Sequence, residues 1–110
     1  MTFNDLVTKV RGKVCSANLS GVPFIAIQVN ITGKESGVFY IEIKDGKGSV
    51  EPYEYIDRSC AFTVDITNFN KIVDGKLDPV AAYTTGKLKV DGDLGKALEF
   101  SNLLKQANKK

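Results

Sequence analysis

Asp78-Pro79-Val80-Ala81-Ala82-Tyr83-Thr84-Thr85-Gly86, then Lys87-Leu88-Lys89-Val90-Asp91-Gly92, then Asp93-Leu94-Gly95-Lys96-Ala97-Leu98-Glu99-Phe100-Ser101-Asn102-Leu103-Leu104 is the stretch that decides the fold. It predicts a short helix, a short strand and a closing helix. Asp78 can cap the first helix, and Pro79 suits its first turn because proline has no N–H to satisfy. Gly86 can adopt the left-handed conformation that ends it. Residues 87–91 alternate polar and apolar, as a half-buried strand does. Gly92 makes a corner and Asp93 caps the closing helix.

That last helix carries too much apolar surface for an ordinary one. At 100° per residue, Leu94, Ala97, Leu98, Phe100, Leu103, Leu104 and Ala107 cover well over half the circumference, with only small Ser101 among them. A helix laid on a core needs roughly a 100° stripe. The surplus must face a second protein layer, a partner or an apolar ligand.

These residues resemble the C-terminal signature of the sterol carrier protein type-2 lipid-transfer domain family. The resemblance rests on Gly86-Lys87-Leu88-Lys89-Val90-Asp91-Gly92-Asp93 with Ala97-Leu98 and Leu103-Leu104. It extends upstream through Phe69, Ile72, Gly75 and Pro79-Val80-Ala81-Ala82-Tyr83. It is specific over about residues 69–104 and architectural before that. It implies an α+β fold: a five-stranded, mostly antiparallel sheet with helices packed on one face and an apolar tunnel between helices and sheet.

Composition agrees with a globular chain of one domain, residues 1–110. Hydrophobic residues make up 43% and charged residues 25%. No apolar run approaches the ~20 residues that span a bilayer. The N-terminus lacks a basic-then-apolar leader, and the C-terminus, Asn108-Lys109-Lys110, differs from the peroxisomal tripeptide of many relatives. A cytoplasmic location is therefore expected, and sterol as cargo is in doubt. The net charge is +2 with fifteen Lys and Arg spread along the chain, unlike the basic stripe of a nucleic-acid binder.

The rest of the chain follows from periodicity. Residues 2–19 read as an amphipathic helix with Phe3, Leu6, Val7, Val10, Val14 and Ala17 on its core face. Strands are expected over residues 24–31, with Ile25, Ile27, Val29 and Ile31 inward, and over 38–44, with Phe39, Ile41 and Ile43 inward. Asp45-Gly46 marks a tight hairpin turn. Residues 49–55 form a third strand, confined to an edge or a bulge by Pro52. Residues 60–66 form a fourth, with Cys60, Phe62, Val64 and Ile66 inward. Thr67 or Asn68 then caps a short helix over 69–74, ended by Gly75.

The chain has no histidine, which removes the commonest general base and the usual nucleophilic triads. Cys15 and Cys60 make no metal or redox spacing. The aspartates have local duties as caps and turn residues. No catalytic group, metal or cofactor is expected.

What remains is apolar binding. The helix faces nominate Phe69, Ile72, Val73 and Leu77 from the middle of the chain as ligand-lining residues. Val80 and Tyr83 follow from the short helix, and Leu94, Leu98, Phe100, Leu103 and Leu104 from the closing one. Plain core is the competing reading for each. The expected function is non-enzymatic lipid binding or transfer, for a fatty acid, acyl-CoA, phospholipid or sterol-like lipid, with transient membrane contact left open. The alternative is an accessory or oligomerisation module whose apolar groove contacts a second copy or a partner enzyme. A small enzyme on acyl substrates is the weakest reading.

Overall fold

The computed structural model describes residues 2–16, 19–53 and 60–108, with residues 107 and 108 described as backbone only. The elements run α1 (Phe3–Ser16), β1 (Ile25–Thr32), β2 (Gly37–Lys44), β3 (Lys47–Glu51), β4 (Cys60–Asp65), α2 (Ile66–Val73), α3 (Pro79–Thr84), β5 (Lys89–Gly92) and α4 (Leu94–Asn108). The five strands form one sheet in the order β3-β2-β1-β4-β5. Every pairing is antiparallel except β1 with β4, which run parallel.

The inward face of the sheet is the apolar phase of each strand. Val29 lies opposite Phe39 on one side and Phe62 on the other, and Phe62 lies opposite Val90. Ile27, likewise, lies between Ile41 and Cys60. All of these are buried except Val90, which is half-buried. The helices contribute Leu6, Val7, Val10 and Val14 of α1, Phe69 and Ile72 of α2, Ala82 of α3, and Phe100, Leu103 and Leu104 of α4 to the same core. Phe39 sits at its centre, with ring centroids 5.9 Å from Phe3 and 5.8 Å from Phe69, both edge-on.

Local chemistry places the ends. Asp45 and Gly46 both have positive φ, 54° and 76°, the requirement of a type I′ hairpin whose twist matches its strands. β3 stops at Glu51, ahead of Pro52, and lies at the sheet edge. The strand expected over residues 49–55 is therefore corrected: it begins at Lys47 and does not continue through Pro52 and Tyr53, while residues 54 and 55, like Ala17 of the α1 stripe, lie outside the described residues. β3 also runs under α1 without a side chain at Gly48, where an added Cβ would collide with Val14 Cγ1. α1 is tied to α2 by Lys9 Nζ, which donates to Asn70 Oδ1 at 2.7 Å and pairs with Asp74 Oδ1 at 2.5 Å.

Four further expectations need correction. α1 ends at Ser16 rather than at residue 19, and Leu19 is buried beyond it. Ile66 is not a strand residue but opens α2. The cap of α2 is Asp65, not Thr67 or Asn68: its Oδ2 accepts from Asn68 N at 3.4 Å and its Oδ1 from Asn68 Nδ2 at 2.6 Å. A carboxylate at the strand's end starts the helix earlier than the hydroxyl or amide behind it. Finally, Lys87 and Leu88 are not in β5. Their N–H groups donate to Ala82 O at 2.9 and 3.1 Å, finishing α3, so pairing begins at Lys89.

Cys60 is 1% exposed, and burial, assisted by the charge of Asp93, pushes its thiol up to about 11 from 9.0. Two outcomes are expected. A thiol reagent at pH 8 should modify exposed Cys15 in the native protein, and Cys60 only after unfolding. Stability should also fall as pH rises from 9 towards 11, because the unfolded chain releases the Cys60 proton there and the folded one retains it. In Cys60→Ala that slope, read from urea midpoints across the range, should be shallower.

Candidate functional site

α3 is the helix with the fewest neighbours to lean on, and a cleft opens between it and α4. α3 is six residues long. Asp78 caps it through Val80 N at 3.4 Å, and Gly86, at φ 81°, closes it. Gly86 N donates to Tyr83 O at 3.3 Å and Lys87 N to Ala82 O at 2.9 Å, the paired bonds of a Schellman turn. This turn swings Leu88 into the core, 2% exposed, and sends the chain into β5. α4 then starts at the Asp93 carboxylate, which accepts from Gly95 N at 2.8 Å, and runs back past α3.

The cleft holds about 210 Å³. α3 supplies Pro79, Val80 and Tyr83 to one wall. α4 supplies Leu94, Ala97, Leu98 and Ser101 to the other. Phe62, Leu88 and Val90 make the floor. Among the described residues no charged side chain lines it. Val80, Tyr83, Leu94 and Leu98 are 44–51% exposed: large apolar groups held at the surface around a hollow, where a plain core would have drawn them in. A smaller cavity of about 90 Å³ adjoins it, lined by Ile72, Leu77 and Leu104 with Asp78 and Lys105 at its edge; Pro79 and Ser101 line both spaces. A hollow of about 300 Å³ near Thr63, Asp65, Lys87 and Lys89 is larger, but polar and shallow.

The nominated residues thus separate. Val80, Tyr83, Leu94 and Leu98 converge on the cleft, and Ile72, Leu77 and Leu104 on its neighbour. Phe69, Val73, Phe100 and Leu103 are buried among core side chains and line neither space. Phe62, Leu88, Val90, Pro79, Ala97 and Ser101 were not nominated. For two of these the signal was present: Ala97 and Ser101 are small residues four apart on α4, flanked by leucines, and so leave room on one face. The other four needed the sheet register and the α3 turn.

α4 has two faces with two jobs. Phe100, Leu103 and Leu104 turn to the sheet, and Leu94, Leu98 and Ser101 to the cleft. The surplus apolar arc read from the sequence is the second of these. Among the described residues no three His, Cys, Asp or Glu side chains come together to hold a metal ion, and no helix is long and apolar enough to cross a membrane.

Residues 3–105 match the model of the SCP-2 sterol transfer family. The chain is 38% identical over 86 residues, 76% of its length, to hydroxysteroid dehydrogenase-like protein 2 of Xenopus tropicalis, of which it covers 20%. It is 29% identical over 105 residues, 94% of its length, to human sterol carrier protein 2, of which it covers 19%. The chain therefore spans about a fifth of the length of these curated relatives. Its fold superposes on the solution structure of palmitated SCP2L2 from Aedes aegypti with a TM-score of 0.73 at 18% identity, covering 94% of this chain and 95% of that one.

Proposed function

The chain belongs to the SCP-2 sterol transfer family, and from that premise we propose that it binds a single acyl lipid, non-enzymatically, with the hydrocarbon chain in the α3–α4 cleft. The observation that carries this reading is the ring of half-exposed apolar side chains, Val80, Tyr83, Leu94 and Leu98, around a cleft with no charged lining. Each methylene removed from water there contributes about 0.8 kcal/mol, so affinity needs no reactive group. The mosquito protein of the same fold was solved in a palmitated form, which favours a straight acyl chain over a sterol.

At about 210 Å³ the cleft is below the ~300–1,000 Å³ of typical ligand sites. A long acyl chain must widen it. α3 is the element that gives way: it has one fully buried side chain, Ala82, and its other contacts are loose, so it opens at a small fraction of the global stability. Widening towards Pro79 and Ser101 joins the two spaces into the tunnel the family resemblance implies.

Native mass spectrometry of the purified protein, with organic extraction and lipid analysis, tests the reading. The expected result is a co-purifying acyl lipid near one per chain, or stoichiometric uptake of a fluorescent fatty acid. A bare mass with no uptake would overturn it. The alternative, an accessory module whose cleft meets a protein, draws on the five-fold greater length of the relatives; its mark is a concentration-dependent mass in light scattering without bound lipid.

A further inference from the structure

Resting on the lipid reading, we infer that the site is selective for anionic amphiphiles and that Lys105 of α4 receives the head group. On α4, Leu94, Leu98, Ser101 and Lys105 fall within about 60° of one another at 100° per residue. They form one stripe, apolar at its N-terminal end, small in the middle and cationic at the last turn. Leu94, Leu98 and Ser101 line the main cleft; Ser101 and Lys105 line the adjoining cavity. Among the residues that line the two spaces, a chain lying along this stripe under Pro79 meets charge only at the Lys105 end. The lining residues of the main cleft offer a charged head no partner, so a head left there would give up hydration without compensation.

Two charged groups stand at that end, Lys105 and Asp78, and their engagements differ. Asp78 Oδ1 accepts from Val80 N at 3.4 Å as the cap of α3. Lys105 Nζ lies 3.9 Å from the same oxygen, with its side chain 62% exposed. An exposed pair at that distance is worth little. The ammonium can therefore turn to an incoming carboxylate without undoing a helix, whereas Asp78 cannot turn to an incoming amine without giving up its cap. Asp78 opposes an anionic head by its own charge. Asn is as good an N-cap as Asp, so Asp78→Asn removes that opposition and leaves α3 in place.

The test is isothermal titration of the intact protein with dodecanoate, dodecan-1-ol and dodecylamine, each below its micelle-forming concentration. The expected result is dodecanoate binding at least tenfold tighter than the alcohol. In Lys105→Met dodecanoate should bind no tighter than the alcohol, because Asp78 remains, while the melting temperature stays unchanged; Lys105→Arg should restore the preference, and Asp78→Asn should widen it. Equal binding of acid and alcohol, or a preference that survives Lys105→Met, overturns the Lys105 assignment and leaves lipid binding standing. A preference for the amine assigns the head group to Asp78 instead and equally overturns it. Binding of none of the three overturns the lipid reading and this inference together.

Discussion

Phe39→Ala should lower stability by about 3–5 kcal/mol, as large-to-small changes of a fully enclosed aromatic do. Phe39 is 0% exposed and packs edge-on against Phe3 of α1 and Phe69 of α2, while its backbone pairs with Val29. Truncation removes both ring contacts and leaves a hole where two helices meet the sheet, a place with no mobile side chain to fill it. Domains of this size hold ~5–15 kcal/mol in all, so the loss is a large share of the total. With a urea slope of ~1–3 kcal/mol per molar, the midpoint should drop by about 1–5 M. Phe39→Leu keeps most of the volume and should cost about 1.5 kcal/mol or less. Equal, small shifts for both variants would show that the two helices do not depend on this ring.

Leu98→Glu should abolish acyl-lipid binding and leave the fold intact, whereas Leu104→Glu should unfold the protein. The two leucines are six residues apart on one helix but face different surroundings: Leu98 is 51% exposed at the cleft, and Leu104 is 3% exposed beside Phe100 and Leu103. A carboxylate at position 98 stays hydrated in the empty protein, so the stability change should be within about 0.5 kcal/mol. With a lipid in place the same carboxylate would be pressed against hydrocarbon at a cost of several kcal/mol, a loss of more than a hundredfold in affinity. At position 104 the charge is buried without a partner from the outset, and a cost above about 4 kcal/mol is expected. The measurement is a thermal melt of each variant beside a fluorescent fatty-acid titration. Unchanged affinity in Leu98→Glu would place the lipid somewhere other than between α3 and α4.

Both results turn on a distinction that the sequence half reveals. The closing helix is visibly over-endowed with apolar residues, and Ala97 and Ser101 mark the side where bulk is missing. Whether Phe100 or Leu98 faces the sheet depends on how α4 is rotated about its axis. That rotation is set by contacts with α1, β1 and β4, partners distant in sequence, as well as with adjacent β5. Phe69, Val73, Phe100 and Leu103 were nominated on the strength of helix faces and lie in the core; Leu88 and Val90 were passed over because alternation marks them as an inward phase without saying whether core or a cleft covers it.

Local chemistry was sufficient wherever a residue's task is completed within a few positions. Asp78-Pro79 at the head of α3, Gly86 at its end and Asp45-Gly46 in the hairpin all act through backbone geometry or a nearby N–H, and all were legible. The alternation of Ile25, Ile27, Val29 and Ile31 identified a buried strand for the same reason. The exceptions were places where two local solutions competed: Asp65 displaced Asn68 as a cap, and the α3 turn claimed the N–H groups of Lys87 and Leu88 before the sheet could. The parallel pairing of β1 with β4 and the burial of Ala26 on the outer face come from the central position of β1 in the order β3-β2-β1-β4-β5. The sequence by itself determined the elements, the family and the presence of surplus apolar surface, because these follow from short-range periodicity and capping. Only the tertiary structure decided which of that surface is core and which is cleft, because burial is a property of neighbours brought together from far along the chain.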